Sequence, residues 1–490
     1  LQRISSIYTS KANCETHWDA ALQSCYLGPE WLSMTVAGAQ AVQDFNNRNG
    51  TYVPQFAELA GCDKVLVPAF YDSATSGSAS SAVLIDALNG VGGTVQPDYI
   101  VGPAASSATI PVATISGVSN PKVVEISYAA TSTQLDDVNN FPTFMRTIPT
   151  DDAVAFSVCT FWSVDMGYDR AAIIYANDAY GEAYKEAILT HCGAKTPPVS
   201  VETLPFDKSS QSSIETQVNR LAASDVRVVM FVGTDDGLPS VLASAYEQNL
   251  LTNSMWVFSD GVSADSIGGA PGTKEGTAAG MPADAMNGAI RVVAAGGTDS
   301  NPRWVEYAAN FANADFDAIN AFVPAQWQIN ATTFAGFDAA TNGIFALFGA
   351  YEYDAVALAG LTACNVTPSG SLPSNFADLV MAAKAGVAFD GLTGVVKINE
   401  IGNRAPQTAN VELSNIVVTT EGVVTSAVVA RFDNGAWNWA PAADRAASSL
   451  VYMGGAIEPP PDLYMPPLQT QLNLLPVGLT VAAQVTTSLL

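Results

Sequence analysis

Residues 101–152 read VGPAASSATIPVATISGVSNPKVVEISYAATSTQLDDVNNFPTFMRTIPTDD and contain two consecutive strand–turn–helix units. In the first unit, a short apolar strand at 99–101 runs into a Gly-Pro turn and then into Ser106 and Ser107 at the head of a helix. In the second unit, a strand at 122–126 runs into the turn Ser-Tyr-Ala-Ala-Thr-Ser. The two units predict neighbouring parallel strands whose turns lie at the same edge of a sheet.

These turns place hydroxyl groups at the edge where open α/β sheets bind ligands. Ser106, Ser107 and Thr131 lie there, and a helix N-terminus beside them favours an anion such as a carboxylate. The alternative is that these residues only cap helices, which is their commoner use. Two such turns in succession favour a binding edge.

The same alternation of strands and helices continues on both sides of this stretch. We predict further strands at 3–8, 64–70, 171–175, 199–204, 226–232 and 256–258. Repeated βα units predict parallel sheets covered by helices, so the fold class is α/β. A second series of such units begins after Pro149.

The composition is that of an acidic, folded protein. The 490 residues include 20 Lys plus Arg and 46 Asp plus Glu, a formal net charge of −26. This charge argues against nucleic acid and anionic membrane surfaces as partners. The hydrophobic content of 48% can build large cores, and the length allows two or three domains.

The cysteines and histidines indicate disulfides rather than a metal site. Six cysteines without a CxxC pair and only two histidines predict neither a metal nor a cofactor. An even cysteine count suits an oxidising compartment, the alternative being six buried thiols. Of the fifteen pairings that six cysteines allow, we favour Cys14–Cys25, which closes a short N-terminal loop, and Cys159–Cys192, which joins neighbouring helices.

Motifs for catalysis are missing from the sequence. It contains no GxSxG, no HExxH and no Walker loop, and neither histidine follows a predicted strand. We therefore expect a binding protein and not an enzyme.

Three motifs together resemble the type I periplasmic binding protein family. They are Gly-Pro-x-x-Ser-Ser at 102–107, Ser-Tyr-Ala-Ala-Thr-Ser at 127–132 and Arg-Thr-Ile-Pro-Thr-Asp at 146–151. Family-like segments at 353–359 and 389–395 extend the resemblance over roughly residues 30–440. The family includes bacterial branched-chain amino-acid binding proteins and the Venus-flytrap ectodomains of class C G-protein-coupled receptors and receptor guanylate cyclases. The resemblance implies two doubly wound, mainly parallel lobes around a hinged cleft.

The resemblance also implies that the lobes are discontinuous, with three crossovers. The first lobe is predicted to comprise 1–148 plus 283–405, and the second 149–282 plus 406–440. The return crossover is placed at 280–282, so that a strand at 289–293 falls in the first lobe, while a terminal hairpin formed by 411–418 and 424–432 falls in the second. Residues 441–490 form a proline-rich linker and an apolar tail, which either precedes a transmembrane helix or is a plain tail.

The chemistry of an amino acid suggests how such a cleft would bind it. Its carboxylate needs hydrogen-bond donors, which Ser106 and Thr131 with their turns could supply. Its ammonium needs acidic groups, and Asp151 and Asp260 could act as charge-assisted acceptors. Tyr180 could lay its ring over the ammonium group.

These five positions also match, residue by residue, the α-amino-acid contacts of class C receptors. Ser107 and Ala129 complete the candidate ligand-binding set, although Ala129 stands where receptors often have serine. We can match no basic residue to those that read an acidic side chain, which argues against glutamate.

Each acidic or aromatic candidate has a structural alternative. Asp151 is a natural N-cap, Tyr180 could pack at the rim of the cleft, and Asp260 could make a turn. The segments 71–73 and 234–236 end at the same sheet edges and are candidates for contacting the ligand's side chain.

The predicted function is capture of a small ligand, most simply an amino acid, outside the cell or in the periplasm. The chain would serve as a receptor ectodomain from a membrane-anchored parent or as a solute-binding protein for an ABC transporter, and the resemblance allows a homodimer through the first lobe. Two alternatives stay open. One is a structural or adhesion module without a ligand, and the other is a binder of another small polar metabolite, such as an amide or a sugar.

Overall fold

The computed structural model describes most of the chain. The described residues are 2–7, 18–19, 24–25, 29–71, 73, 76–252, 254–272, 280–298, 300–311, 315–321, 343–433, 435–440, 450–456 and 458–463. Cys14, which the predicted Cys14–Cys25 pair requires, and the apolar tail lie outside the described residues.

Strands and helices alternate through this part of the chain. Strands β1–β9 are Gln2–Ile7, Trp18–Asp19, Ser24–Cys25, Leu66–Tyr71, Tyr99–Val101, Val124–Ser127, Phe144–Arg146, Arg170–Ala176 and Ser200–Phe206. Strands β10–β17 are Val228–Val232, Met255–Phe258, Ala289–Ala294, Ala388–Gly391, Gly394–Lys397, Val411–Val418, Val424–Asp433 and Ala436–Trp439.

Twelve α-helices lie in the described ranges. Helices α1–α6 are Pro29–Asn47, Gly77–Leu88, Ser106–Val118, Asp151–Thr160, Ala179–Gly193 and Gln211–Ala223. Helices α7–α12 are Leu238–Glu247, Ala264–Gly269, Pro302–Phe311, Phe316–Asn320, Gly343–Val366 and Phe376–Ala383. None of these is both long and apolar enough to cross a membrane.

The first lobe is built on a five-stranded parallel sheet in the order β4–β1–β5–β6–β7. Helices α1 and α11 pack together on one face, where the Tyr99 and Thr362 hydroxyls lie 2.8 Å apart. Helices α2 and α3 cover the other face, with Leu84 and Val112 against Ile100. Strand β5 is therefore covered on both faces, which explains why it is uniformly apolar.

The second lobe is built on an eight-stranded sheet in the order β17–β16–β15–β12–β11–β10–β8–β9. The neighbouring strands β9, β8, β10, β11 and β12 pair in parallel. Strands β15, β16 and β17 pair antiparallel, and β15 is also antiparallel to β12. Helices α4 and α5 pack on one face, and α6, α7 and α8 on the other. The predicted terminal hairpin is confirmed by the pairing of β15 with β16.

One prediction about the lobes is wrong. The strand at 289–293 was expected in the first lobe, but β12 pairs with β11 in parallel and with β15 in antiparallel, in the middle of the second sheet. Its hydrogen bonds join the parallel half of that sheet to the terminal hairpin. The chain therefore returns to the first lobe after Ala294 and not at 280–282.

The described residues contain two disulfides. Cys159 on α4 bonds to Cys192 on α5, the pairing that the sequence favoured. Cys62 bonds to Cys364 on α11, with 302 residues between them in sequence, and this pairing was not predicted.

In the described part of the chain, three crossovers connect the lobes, at 147–150, after Ala294 and at 405–410, and they lie side by side. Tyr351 on α11 touches two of them, because its carbonyl accepts from the Thr147 hydroxyl at 2.9 Å and its own hydroxyl donates to the Ala295 carbonyl at 2.8 Å. The Ala295 N–H donates to the Asn410 carbonyl at 2.8 Å, which ties the second crossover to the third.

The buried guanidinium of Arg404 braces the same place. It donates to the carbonyls of Thr147 at 3.2 Å, Thr408 at 3.1 Å, Thr393 at 3.0 Å and Val395 at 2.9 Å. Those carbonyls belong to two crossovers and to the β13–β14 hairpin. Arg404 thus sets how the crossovers pack at the hinge.

We predict that Arg404→Met lowers the free energy of unfolding by about 3–5 kcal/mol, because it leaves buried carbonyls without donors. The matched control is Arg220→Met on α6, whose half-exposed guanidinium bonds only to surface groups and should cost under about 1 kcal/mol. Urea unfolding of both variants measures the difference. Equal losses would show that Arg404 does not brace the hinge.

Candidate ligand site between the lobes

The first wall of the site is formed by the two turns that follow β5 and β6. The Ser127 hydroxyl donates to the Pro103 carbonyl at 3.0 Å and accepts from the Ala130 N–H at 2.9 Å, which holds the turns together. The Ser106 hydroxyl accepts from the Ser132 N–H at 3.3 Å. The two predicted turns therefore form one surface.

The four candidates in these turns differ in their exposure to solvent. Ser106 and Thr131 are buried, Ala129 is half-buried, and Ser107 is exposed. The capping alternative does not describe Ser106, because the N-cap of α3 is Ala105 and offers no side-chain acceptor. Nor does it describe Thr131, because Ser132 caps the short helical turn that follows.

The second wall comes from α5 and from the loop after β11. The Tyr180 hydroxyl donates to the Asp260 carboxylate at 2.6 Å. Asp178 caps α5 by accepting from the N–H groups of Tyr180 and Gly181, both at 3.0 Å. This cap fixes the start of α5 and so the position of Tyr180 in its first turn.

Two glycines allow the backbone segments of this wall to approach each other closely. A side chain at Gly181 would collide with the Ala176 carbonyl, and one at Gly261 would collide with the Gly233 carbonyl and approach the Tyr180 ring. The Tyr-Gly and Ser-Asp-Gly sequences therefore place Tyr180 and Asp260 because their glycines allow close backbone approach.

Asp151 lies at the junction of the two lobes. It is the first residue of α4, after the first crossover, and its side chain is fully buried. The N-cap of α4 is Thr150, so the capping alternative does not describe Asp151 either. Its backbone N–H donates to the Thr131 carbonyl at 3.0 Å, which joins it to the first wall.

The carboxyls of Asp151 and Asp260 repel each other in a buried place. Burial, followed by the charge of Asp260, raises the pKa of Asp151 well above its ordinary value, while Thr131 and the Arg146 cation act in the opposite direction. Thr131 is near enough to lower that pKa, yet neither Asp151 oxygen has a well-aligned hydrogen bond among the described residues. Burial also raises the pKa of Asp260, against the Tyr180 hydroxyl and the Arg291 cation.

We call Asp151 and Asp260 the acid pair. Two buried arginines lie near it. Arg146 donates to the carbonyls of Ala130 and Ser132 at 3.0 and 2.9 Å, on either side of Thr131. Arg291, on β12, donates to the Val262 carbonyl at 2.9 Å. The guanidiniums thus hold the turns and partly balance the acid pair.

The sequence analysis assigned no role to Arg291. A single arginine within the buried strand Ala289–Ala294 was the available signal, because a charge there needs an acidic partner. Asp235, a candidate for the ligand's side chain, interacts with Arg291 and with Ser266 instead, and burial raises its pKa to about 6. Asp72, another such candidate, lies outside the described residues.

The lobes touch at the site itself. The Ser132 hydroxyl, on the first lobe, donates to the Ala179 carbonyl at the start of α5 on the second lobe, at 3.1 Å. Hydroxyls from one lobe and carboxylates from the other are therefore brought to a common place. Such a site can bind a small molecule that carries both an anion and a cation.

Comparisons with known proteins agree with this architecture. Residues 39–415 match the profile of the family described as "Receptor family ligand binding region". The chain is similar to G-protein coupled receptor family C group 6 member A of Carassius auratus, with 26% identity over 173 residues, 34% of this chain and 19% of that protein. It is also similar to metabotropic glutamate receptor 8 of Homo sapiens, with 29% identity over 177 residues, 34% of this chain and 18% of that protein.

A third relative is the probable metabotropic glutamate receptor mgl-1 of Caenorhabditis elegans, with 28% identity over 160 residues, 31% of this chain and 16% of that protein. The chain thus spans less than a fifth of the length of these relatives.

The burial of Asp151 predicts a pH-dependent stability. An acid whose pKa is raised in the folded state binds its proton more tightly there than in the unfolded chain. Its contribution to the free energy of unfolding is therefore lost as the pH rises above the unfolded-state pKa near 3.8. Relative to the wild type, Asp151→Asn should become more stable between pH 4 and pH 8, by roughly 1.4 kcal/mol for each unit of the raised pKa.

The control for this prediction is Asp152→Asn, which neutralises the neighbouring, exposed carboxylate. Chemical unfolding at a series of pH values measures both variants. A constant difference between Asp151→Asn and the wild type across that range would contradict the buried acid pair.

The profile match covers more than half of the chain, and the matched family consists of ligand-binding regions and not of enzymes. The chain therefore belongs to the receptor ligand-binding region family, with the two-lobe fold of the type I periplasmic binding proteins.

Proposed function

We propose that this protein captures an amino acid between its two lobes, as an extracellular or periplasmic binding module. The observation that carries this proposal is the pairing of the Ser106 and Thr131 hydroxyls on one wall with the acid pair on the other. The carboxylate and the ammonium of an α-amino acid are close together, so a binding site must offer partners for both within a short distance. The junction at Asp151 and Thr131 meets that requirement.

The carboxylate of the ligand is assigned to the first lobe. Ala105 offers no side-chain acceptor at the head of α3, which leaves the first N–H groups of that helix for an anion. The buried Ser106 and Thr131 hydroxyls stand beside them. Ser107, which is exposed, and Ala129, which has no polar side chain, contribute through their backbone.

The ammonium group of the ligand is assigned to the acid pair and to Tyr180. Burial and then the charge of Asp260 raise the pKa of Asp151, and a cation placed there offsets both effects. The ring of Tyr180, held by its hydroxyl on Asp260, covers the cation from the α5 side.

A ligand that contacts both walls drives closure of the lobes. It makes its full set of contacts only when the walls are together, so it binds the closed state more tightly than the open one. The three side-by-side crossovers form the hinge for this motion.

The wider role is that of a receptor ectodomain. Two of the relatives are named as metabotropic glutamate receptors and one as a family C receptor, which favours a receptor over a transporter-associated solute-binding protein. A homodimer through the first lobe and a membrane-anchored parent belong to this proposal.

Thermal unfolding in the presence of single amino acids tests the proposal. A ligand at 100 times its dissociation constant adds about 2.7 kcal/mol, which raises the unfolding midpoint by several degrees. The N-acetyl derivative of the same amino acid should give no shift, because it lacks the ammonium, and the amide should give a smaller one, because it lacks the carboxylate.

Thr131→Ala and Asp260→Ala should abolish the shift, while Thr114→Ala, which removes an exposed hydroxyl on the outer side of α3, should keep it. No shift with any amino acid would overturn the proposal and leave sugars, other small polar metabolites or a ligand-free module.

The charge of the site predicts selectivity among amino acids. Asp136, Asp151, Asp235, Asp260 and Glu412 supply five carboxyls around the two guanidiniums of Arg146 and Arg291. An acidic side chain would add charge of the same sign, so glutamate and aspartate should bind at least tenfold more weakly than glutamine and asparagine, about 1.4 kcal/mol. Titration calorimetry with these matched pairs measures the ratio, and tighter binding of the acids would contradict this assignment.

A further inference from the structure

Tyr184 lies one helical turn after Tyr180 on α5 and is fully buried. Residues four apart share a face of a helix, and here the two rings meet edge to face, with centroids 5.9 Å apart and planes at 81°. The Tyr180 hydroxyl is already committed to Asp260. Tyr184 is the next aromatic group behind it, towards the core.

The hydroxyl of Tyr184 has no hydrogen-bond partner among the described residues, and the same holds for both carboxylate oxygens of Asp151. A buried polar atom without a partner is an exception in folded proteins and calls for an explanation. The two groups belong to elements that meet, because the Asp151 N–H donates to the Thr131 carbonyl at 3.0 Å and the next residue, Ser132, donates its hydroxyl to the Ala179 carbonyl at the start of α5 at 3.1 Å. In this structure no hydrogen bond joins the Tyr184 hydroxyl to either Asp151 oxygen. Burial, followed by the charges of Asp260 and Asp151, raises the pKa of Tyr184, so the phenol keeps its proton and remains a donor at neutral pH.

We propose that Tyr184 is a further positioning residue of the ammonium subsite, whose hydroxyl donates to the Asp151 carboxylate whenever the acid pair is ionised. This hydrogen bond holds Asp151 in its charged form and aims its second oxygen at the cation. The inference deepens the proposed function, on which its role in binding rests, but the hydrogen bond itself does not require a ligand.

The other charged groups around the acid pair do not replace this donor. Arg146 is engaged with the carbonyls of Ala130 and Ser132, with Asn403 and with the Asp136 carboxylate. Arg291 has a buried Nη2 without a partner in the described part of the chain, but its charge acts on Asp260, and Asp235 and Glu412 share it. Tyr180 serves Asp260, and Thr131 lowers the pKa of Asp151 without a well-aligned bond.

The test compares Tyr184→Phe with Tyr307→Phe. Tyr307 is a matched control, because it is also buried, its hydroxyl also has no partner in the described part of the chain, and it lies in the first lobe away from the acid pair. Each substitution removes one hydroxyl and keeps the ring. The first readout is the pH dependence of chemical unfolding of the ligand-free protein.

Without the donor the ionised acid pair is less stable, so the midpoint of its titration should move up by about one pH unit in Tyr184→Phe. Tyr307→Phe should leave that midpoint unchanged. In an Asp151→Asn background, Tyr184→Phe should no longer change the pH dependence. Identical pH profiles for the two Phe variants, or a Tyr184→Phe effect that persists in Asp151→Asn, would overturn the proposal.

The second readout is the thermal shift given by an equimolar mixture of the standard L-amino acids, as a function of pH. The apparent affinity of Tyr184→Phe should fall about tenfold below its raised midpoint and recover above it, whereas Tyr307→Phe should follow the wild type. If the wild type shows no shift, the proposed function fails while the ligand-free titration still decides the role of Tyr184. If the wild type binds and both Phe variants bind alike at every pH, Tyr184 has no part in the subsite.

Discussion

The burial of two carboxyls side by side is the constraint around which the site is organised. Asp151 begins α4 immediately after the first crossover, and Asp260 lies two residues after the end of β11, so the acid pair exists only when the second lobe is folded against the hinge. Repulsion within the pair is offset from behind by Arg146 and Arg291 and from the side by Tyr180. In the proposed function, the ammonium group of an amino acid supplies the further cation that offsets this repulsion.

The hinge and the site share their supporting residues. Arg146 holds the turn that contains Thr131 and also bonds to Asn403 at 2.7 Å, next to the third crossover. Arg404 and Tyr351 tie the first crossover to the other two. A change in the angle between the lobes therefore displaces the Thr131 turn and the head of α4. A ligand-driven closure requires this coupling between the hinge and the site.

Local patterns were informative wherever neighbours in sequence decide the structure. The turns after β5 and β6, the hairpin of β15 and β16 and the Cys159–Cys192 pair of adjacent helices all lie within short stretches of chain, and the structure contains each of them. Strand β12 was placed in the wrong lobe, because its partners β11 and β15 are set by hydrogen bonds across the sheet and not by its own residues. The Cys62–Cys364 bond was missed for the same reason, since 302 residues separate its cysteines.

The sequence by itself determined the α/β class, the two series of βα units, the family resemblance and the types of residue available at the strand ends. It did so because periodicity, turn residues and motifs are local properties of the chain. Only the tertiary structure decided that Asp151 is not an N-cap, that Ser107 faces solvent while Ser106 is buried, and that Arg291 and Tyr184 stand behind the acid pair. Those facts depend on burial and on the charges of residues far away in sequence, and burial exists only once both lobes have packed.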